Sequence, residues 1–428
     1  MRYRRARAQN QRKPVVIMKN EDLQKVLDKI GTYRDEAIRL ETELTGRPAL
    51  GPENGGEGEQ EKAAWLKAYL EDLGLKVDQY NSPDERVSCG YRPNLTAVLK
   101  GRNNSGPKLW IMSHTDVVPP GDYKLWSGDP YVVRVEGDKL IGRGVEDNQG
   151  GMVSSILTVK AFLETGVAPN VPVGLVLMAD EETGSEHGMQ YLMKEHRDLF
   201  DKKDLVIIPD SGSPKGVDIE VAEKSILWIR IRTLGKQTHG SVPEKGINAH
   251  KAAAFLTTRL NTLYHRFRRR NELFAPPIST FEPTKKEANV PNVNTIPGED
   301  VVYFDCRILP EYKLRDVIRA VREMARETEK KYRVKIKLEF PQMESAAPPT
   351  APDAPVALAI SGAIKDLRRR KTKSIGIGGG TVAKYFRDAG FPCAVWCTMD
   401  ERAHTPDEYT KIPYLLSDAG VFAHIALQ

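Results

Sequence analysis

Three short apolar runs, each leading into side chains that can bind a metal, constrain this chain more than any other feature. KLWIMS runs into His114, PVGLVLMA into Asp180, Glu181 and Glu182, and DLVIIP into Asp210. Apolar runs with little polar alternation suit strands buried on both faces, which occur in parallel sheets covered by helices. Between the first two, GGMVSSILTVKAFLETG sets Met152, Ile156, Val159 and Leu163 at helical spacing and closes at Gly166, the pattern of an amphipathic helix. Strands alternating with helices predict an α/β domain with a mostly parallel sheet, which binds ligands beyond the carboxyl ends of its strands. The polar residues above all fall there. Upstream, residues 22–44 and 57–74 are predicted helical, the second through Ala63, Leu66, Leu70 and Leu73 before Gly74.

Near residue 221 the pattern changes. A strand (SILWIRIRTL), a helix (248–268), an extended piece near 278, a strand (VVYFDCRIL), a helix (314–331) and a strand (VKIKLEF) follow in turn. In VKIKLEF, Val334, Ile336, Leu338 and Phe340 alternate with charged residues, so one face is buried and the other wet. This βαββαβ order predicts a ferredoxin-like α+β module. The Pro- and Ala-rich PQMESAAPPTAPDAP reads as a linker back to further α/β structure. At 428 residues the chain exceeds what one hydrophobic core usually holds. The expected organisation is a catalytic domain formed by residues 1–220 and 342–428, with a lid and dimerisation domain inserted at 221–341.

Charge and cysteine content exclude several classes. The +6 balance of 64 basic against 58 acidic residues comes largely from short runs: MRYRRARAQNQRK, then Arg266 with Arg268, Arg269 and Arg270, then Arg368, Arg369, Arg370 and Lys371. No aromatic interleaving or nucleic-acid motif accompanies them, so they read as a frayed tail and solvated helix faces, and no nucleic-acid partner is expected. The N-terminal run lacks the apolar core of a signal peptide, and no apolar run approaches the roughly 20 residues of a membrane helix. No membrane partner is expected. Cys89, Cys306, Cys393 and Cys397 are too scattered for a disulfide framework, which fits a reducing cytoplasm. Cys393 and Cys397, within CAVWCTM, read as buried strand thiols.

The chemistry concentrates in a few segments. His114 and Asp116 stand in SHTDVVPP, Asp147 in GRGVEDNQGG, Glu181 and Glu182 in ADEETGSEHG, Asp210 in PDSG and His404 in DERAHTPDE. Consecutive carboxylates after a buried strand repel one another unless a cation compensates them. A hydrolytic two-metal site needs nitrogen and carboxylate ligands together with a separate base. Each fragment also has a bland reading: His-x-Asp as a strand-end contact, Glu181 and Glu182 as helix caps. The chance of the whole set arising together without a site is small.

In this order, from about residue 57 to the C-terminus, the motifs resemble the dinuclear zinc amidohydrolase and peptidase family. That family contains succinyl-diaminopimelate desuccinylase, acetylornithine deacetylase, aminoacylase and related carboxypeptidases and dipeptidases. The resemblance implies that His114, Asp147, Glu182, Asp210 and His404 hold two divalent ions per subunit, zinc with cobalt or manganese as substitutes. Asp147 would bridge them, with Glu146 as its rival, Asp116 would orient His114, and Glu181 would be the general base. GKQTHGSVPEKGINA implies that His239 polarises the scissile carbonyl. Asn294 in VNTIPGE and Arg307 in DCRILPE resemble lid positions that hold a substrate carboxylate; the alternative for Arg307 is a strand salt bridge. GIGGGTVAKYF lacks the spacing of a phosphate loop and resembles a pocket-lining loop, which nominates Gly379, Gly380 and Thr381. Two departures stand out: Gln149 and Gly150 occupy positions where the family usually has Lys-Gly, and the residues after Thr381 leave the desuccinylase pattern.

The implied activity is hydrolysis of the amide bond of a small N-acyl amino acid by a metal-activated water. A dipeptidase or carboxypeptidase acting on short peptides is the alternative, and a non-catalytic binding protein on the same fold is a second. The resemblance further implies a homodimer through the lid, in which, in some members, the lid histidine serves the neighbouring subunit.

Overall fold

The apolar runs form the centre of a large sheet. The computed structural model describes residues 21–428, so the basic N-terminal run and its reading as a frayed tail lie outside the described residues. The first part of the chain contains α1 (Glu21–Gly31), α2 (Arg34–Thr45), α3 (Gln60–Asp72), β1 (Val77–Pro83), β2 (Tyr91–Leu99), β3 (Leu109–His114), β4 (Arg134–Glu136), β5 (Lys139–Ile141), α4 (Gly150–Thr165), β6 (Val173–Met178), α5 (Met189–Glu195), β7 (Leu205–Gly212) and β8 (Asp218–Glu223). Next come β9 (Ser225–Leu234), β10 (Thr238–His239), α6 (Ala249–Leu260), α7 (Leu263–Arg266), β11 (Thr280–Lys286), β12 (Thr295–Ile296), β13 (Glu299–Ile308), α8 (Leu314–Tyr332) and β14 (Lys335–Glu344). The chain finishes with α9 (Pro355–Arg368), β15 (Lys373–Ile377), α10 (Ala383–Asp388), β16 (Cys393–Cys397), β17 (Tyr409–Lys411) and α11 (Ile412–Ala426).

The large sheet has the order β1-β2-β6-β3-β7-β16-β8-β15. Its centre, β6, β3, β7 and β16, is parallel, while β1, β2 and β8 add antiparallel pairings at the flanks. Every residue of β3 and β6 is buried. Met152 and Ile156 of α4 and Leu415 and Phe422 of α11 share one core with Ile111 and Leu175; Met189 and Leu192 of α5 and Phe386 of α10 cover Met112 and Val176 on the other face. Double coverage is why these strands lack the alternation of a half-exposed sheet.

The small sheet has the order β11-β13-β9-β14 and is antiparallel throughout. Alternation governs it: Leu227, Ile229 and Ile231 of β9 join Phe304, Cys306 and Ile308 of β13 beneath α6 and α8. Trp228, Arg230 and Arg232 point to the opposite, open face. The chain is thus a mixed α/β protein with a large, mostly parallel sheet and a ferredoxin-like sheet inserted into it. Because β8 pairs in the large sheet and β14 extends to Glu344, the passages between sheets fall at Lys224 and after Glu344, slightly later than 221 and 341.

Some local expectations change. The helix predicted over 22–44 is two, broken where buried Tyr33 turns inward and donates its hydroxyl to Glu164 Oε2 at 3.1 Å. The helix predicted over 248–268 stops at Leu260, with one further turn at α7, and Phe267 then enters the core. Arg266 and Arg270 are surface groups paired with Glu323 and Glu272, but Arg368 is not the solvated residue expected. Its guanidinium donates to Asp418 Oδ1 at 2.5 Å and lies over the Trp396 ring. Cys393 and Cys397 are buried free thiols of β16, as read from sequence. Among the described residues no helix is long and apolar enough to cross a membrane.

Candidate metal centre

The carboxyl ends of the parallel strands converge at one edge of the large sheet. His114 is the last residue of β3, Glu181 and Glu182 lie in the turn after β6, Asp210 lies in β7, and His404 lies in the loop after β16. Asp147 comes from an irregular turn, Val145–Gln149, directly before α4. Gly144 opens that turn with a φ of 88°, and a Cβ there would meet Val117 Cγ1 at 2.6 Å, so the turn requires glycine.

His114 Nε2 lies 2.9 Å from Asp147 Oδ1 and 3.5 Å from Asp210 Oδ1. His404 Nε2 lies 3.1 Å from Asp147 Oδ2 and 3.2 Å from Glu182 Oε1. The groups His114, Asp147, Asp210 and Asp147, Glu182, His404 each bring ligand atoms within 4.8 Å of one another. Asp147 belongs to both, one oxygen to each side. Imidazole with carboxylate is a donor set suited to zinc and related divalent ions.

The electrostatics agree with that donor set. Burial, and then Asp147, push Glu182 up to about 7; burial, and then Asp210, hold Glu181 well above the usual carboxylate range. Burial opposes charge on Asp147, but its hydrogen bonds with His114 and His404 outweigh that and keep it ionised. Hydrogen bonds to Asp147 and Glu182 raise His404 to about 10. Burial disfavours the charged form of His114, yet Asp116, Asp147 and Asp210 raise it. Both imidazoles thus lie between carboxylates where a divalent cation would satisfy the same oxygens, so the residues fit such an ion.

The surroundings fix these donors. Asp116 lies 3.3 Å from His114 Nδ1 and accepts hydrogen bonds from the backbone of Glu181 and Glu182, each at 3.0 Å. Its carboxylate thus holds the acidic turn, a task the sequence did not disclose, while its backbone carbonyl lies 3.0 Å from His114 Nδ1. Asn148 accepts from His114 N at 3.1 Å and donates to Asp210 Oδ1 at 3.0 Å. Glu408, fully buried, receives Arg143 Nη1 at 2.5 Å and the backbone N–H groups of Gly144, Glu146 and Asp147 at 3.0 to 3.1 Å. This carboxylate locks the turn that presents Asp147. Glu146 turns away from Asp147's neighbours: it accepts from the backbone N–H groups of Asp400 and Arg402 and supports the loop carrying His404.

Lys62 is a further residue missed by the sequence reading. It is buried on α3, and burial pushes its ammonium down to about 8. With the Gln149 amide nitrogen donating to Thr45 Oγ1 and Glu41 Oε2, the amide oxygen accepts from Lys62 Nζ at 3.2 Å. A buried cation therefore stands one side chain away from position 149, where the resembled family carries lysine. A signal existed: Lys62 precedes Leu66 and Leu70 at four-residue intervals, on the stripe α3 buries.

The remaining candidates lie apart from these ligands. His239 is exposed, with Nδ1 at 2.7 Å from Ser241 Oγ and no partner at Nε2 among the described residues. Gly240 N donates to Asn294 O at 2.6 Å, so Asn294 accompanies His239 across the β10–β12 ladder. No hydrogen bond or ion pair among the described residues joins either of them to the ligand groups. Arg307 makes the strand salt bridge, bidentate to Asp305 at 2.7 and 3.0 Å, and also donates to Gly378 O at 2.9 Å, tying the small sheet to the glycine-rich loop. In that loop the space around Gly379 and Gly380 is open. Thr381 donates its N–H and hydroxyl to Glu223 Oε1, and with Gly380 it lines a cavity of 440 Å³ shared with Glu181 and Glu182.

Comparison with known proteins places the chain among relatives and solved folds. The chain is 40% identical over 407 residues to an uncharacterised metallohydrolase of Methanocaldococcus jannaschii, covering 91% of this chain and 98% of that protein. It is 25% identical over 400 residues to the succinyl-diaminopimelate desuccinylase of Methylocella silvestris, covering 91% and 97%. The fold superposes on the crystal structure of human carnosine dipeptidase 1 with a TM-score of 0.73 at 18% identity, covering 95% of this chain and 98% of that one. Residues 110–428 match Peptidase family M20/M25/M40, and this chain belongs to that family of metallohydrolases.

Proposed function

We propose that the protein hydrolyses the amide bond of N-acyl amino acids or short peptides, using two divalent ions, zinc by preference. His114, Asp147 and Asp210 hold one ion in this reading, and Asp147, Glu182 and His404 the other. The observation that carries it is the sharing of Asp147 between two three-residue groups beside Glu181, whose carboxylate lines the cavity. Bound there, the ions supply Lewis acidity that polarises the carbonyl and acidifies water.

The protein's own residues do the rest. Glu181 makes no side-chain hydrogen bond among the described residues, and burial raises its proton affinity. It can take a proton from water and pass it to the leaving nitrogen, base first and acid second. Asp116 fixes Glu181 through its backbone. His239 meets the carbonyl oxygen from a neighbouring subunit, which accounts for its exposed Nε2, unbonded among the described residues; the lid, expected over residues 221–341 and running from Ser225 to Glu344 in the fold, pairs the subunits. Asn294, Arg307, Gly379, Gly380 and Thr381 hold the substrate. Four free cysteines suit a cytoplasmic setting.

The test is hydrolysis of N-acetyl and N-succinyl amino acids and of dipeptides by metal-loaded protein. Turnover of at least one class is expected. Two tightly bound ions without turnover of any would favour a binding protein instead.

A further inference from the structure

The 440 Å³ cavity lies between the Glu181–Ser185 turn and the open face of the small sheet. Strand register places Arg307, Ile226 and Glu344 in one row across β13, β9 and β14, and Asp305, Trp228 and Gln342 in the next. Adjacent strands lie about 4.8 Å apart, so Arg307 and Glu344 flank Ile226 with backbones roughly 10 Å apart. The row carries a cation at one end and an anion at the other.

The two charges are not equally free. Arg307 is occupied by Asp305 and Gly378. Lys384, the only cation lining the cavity among the described residues, is paired with Asp388 at 2.6 Å. Glu344 receives only the neutral amide of Gln342 among the described residues. Trp228 is 42% exposed on the same wall. Tyr385 donates its hydroxyl to Gly184 O at 2.8 Å; burial, and then Glu344, push its phenol up to about 12, so the ring and the carboxylate face one space. An uncompensated carboxylate beside aromatic walls is the chemistry that holds an alkylammonium group. A substrate carboxylate there would meet like charge.

We infer that this cavity receives an ammonium group of the substrate, with Glu344 as its counter-ion and Trp228 and Tyr385 as its walls. The inference rests on the proposed hydrolase reading and narrows it. The ammonium is either the α-amino group of a dipeptide or a basic side chain on an N-acyl amino acid, and two matched substrate pairs distinguish them. Glycyl-leucine against N-acetyl-leucine tests the first source; N-acetyl-ornithine against N-acetyl-norvaline tests the second.

Metal-loaded protein should show a higher kcat/KM for the charged member of one pair. Glu344→Gln should lower that charged-to-neutral ratio about tenfold to a hundredfold. Glu344→Lys should shift preference toward N-succinyl substrates. Calorimetric binding of the same pairs to the Glu181→Gln variant reads the subsite without turnover, so absence of hydrolysis, which counts against the hydrolase reading, does not hide the subsite's behaviour. A ratio unchanged in Glu344→Gln by both measurements would overturn the inference. So would a native preference for N-succinyl substrates that Lys384→Met abolishes.

Discussion

The edge of the large sheet and the open face of the small one hold their polar groups in opposite ways. Around Asp147, His114 is buried, Asp147, Glu182 and Asp210 are half-buried and only His404 is exposed, and several are backed by another group: Asp116 behind His114, Asn148 behind Asp210, Glu408 behind the turn. On the small sheet and its hairpin, His239, Trp228 and Glu344 are exposed or half-exposed and lightly tied. Rigid, buried groups serve chemistry that depends on fixed geometry, whereas open groups can exchange partners with a substrate or a second subunit. If that contrast holds, substitutions at the first region should abolish turnover or stability, and those at the second should change selectivity or assembly.

The largest effect is expected at Glu181. Glu181→Gln should keep its metal and its fold while kcat falls by about 10²-fold or more. Normal turnover in that variant would move the base elsewhere and break the contrast at its centre.

Stability should respond next. Glu408→Ala leaves Arg143 buried without its partner, a change that costs about 3–5 kcal/mol, together with three orphaned backbone donors. Chemical denaturation reads this directly; a loss under 1 kcal/mol would mean that the turn does not depend on Glu408.

The open region is tested by mixing. Glu181→Ala and His239→Ala chains should each be inactive alone. If His239 serves the neighbouring subunit, random pairing of equal amounts makes half the dimers mixed, each with one intact site, and activity returns to about a quarter of wild type. Exchanged subunits that recover nothing would place His239 in its own chain's site.

The smallest effect concerns pH. In chelator-stripped protein His404 is held near 10 against 6.5 unperturbed, by Asp147 and Glu182. A raised histidine stabilises the fold fully below about 6.5 and loses that contribution as pH climbs toward 10. The melting temperature should therefore fall across that window, and His404→Asn should flatten the slope. Metal competes with the same proton, so loaded protein should instead lose metal as pH falls.

What the sequence disclosed follows the same division. The candidates His114, Glu182 and Asp210 were legible because each ends or follows an apolar run, so that sheet topology alone carries them to one edge; Asp147, in the turn before α4, and His404, in the loop after β16, took their proposed places from the resemblance. The resemblance pointed to Asp147 and left Glu146 as its rival; in the fold Glu146 is engaged by the backbone N–H groups of Asp400 and Arg402 in the His404 loop. Glu408 was not read, since its burial arises from the tertiary approach of Arg143 and the Asp147 turn; Lys62 was not read although it shares the stripe of Leu66 and Leu70, since its place beside Gln149 and Glu41 depends on tertiary approach. Arg368 misled because a charge run gives no sign that Asp418 and Trp396 will close over one member. The pairing of Glu344 with Ile226 depends on the register of β14 and its bulge after Glu339, which alternation alone does not set.

The central claim is that Asp147 is shared by two ions with one histidine on each side. Metal content of wild type, His114→Ala and His404→Ala, measured after exhaustive dialysis, tests it most directly. The expected result is about two ions per chain in wild type and a clear loss in each variant, larger still in Asp147→Ala. Full retention of metal in both histidine variants would contradict it.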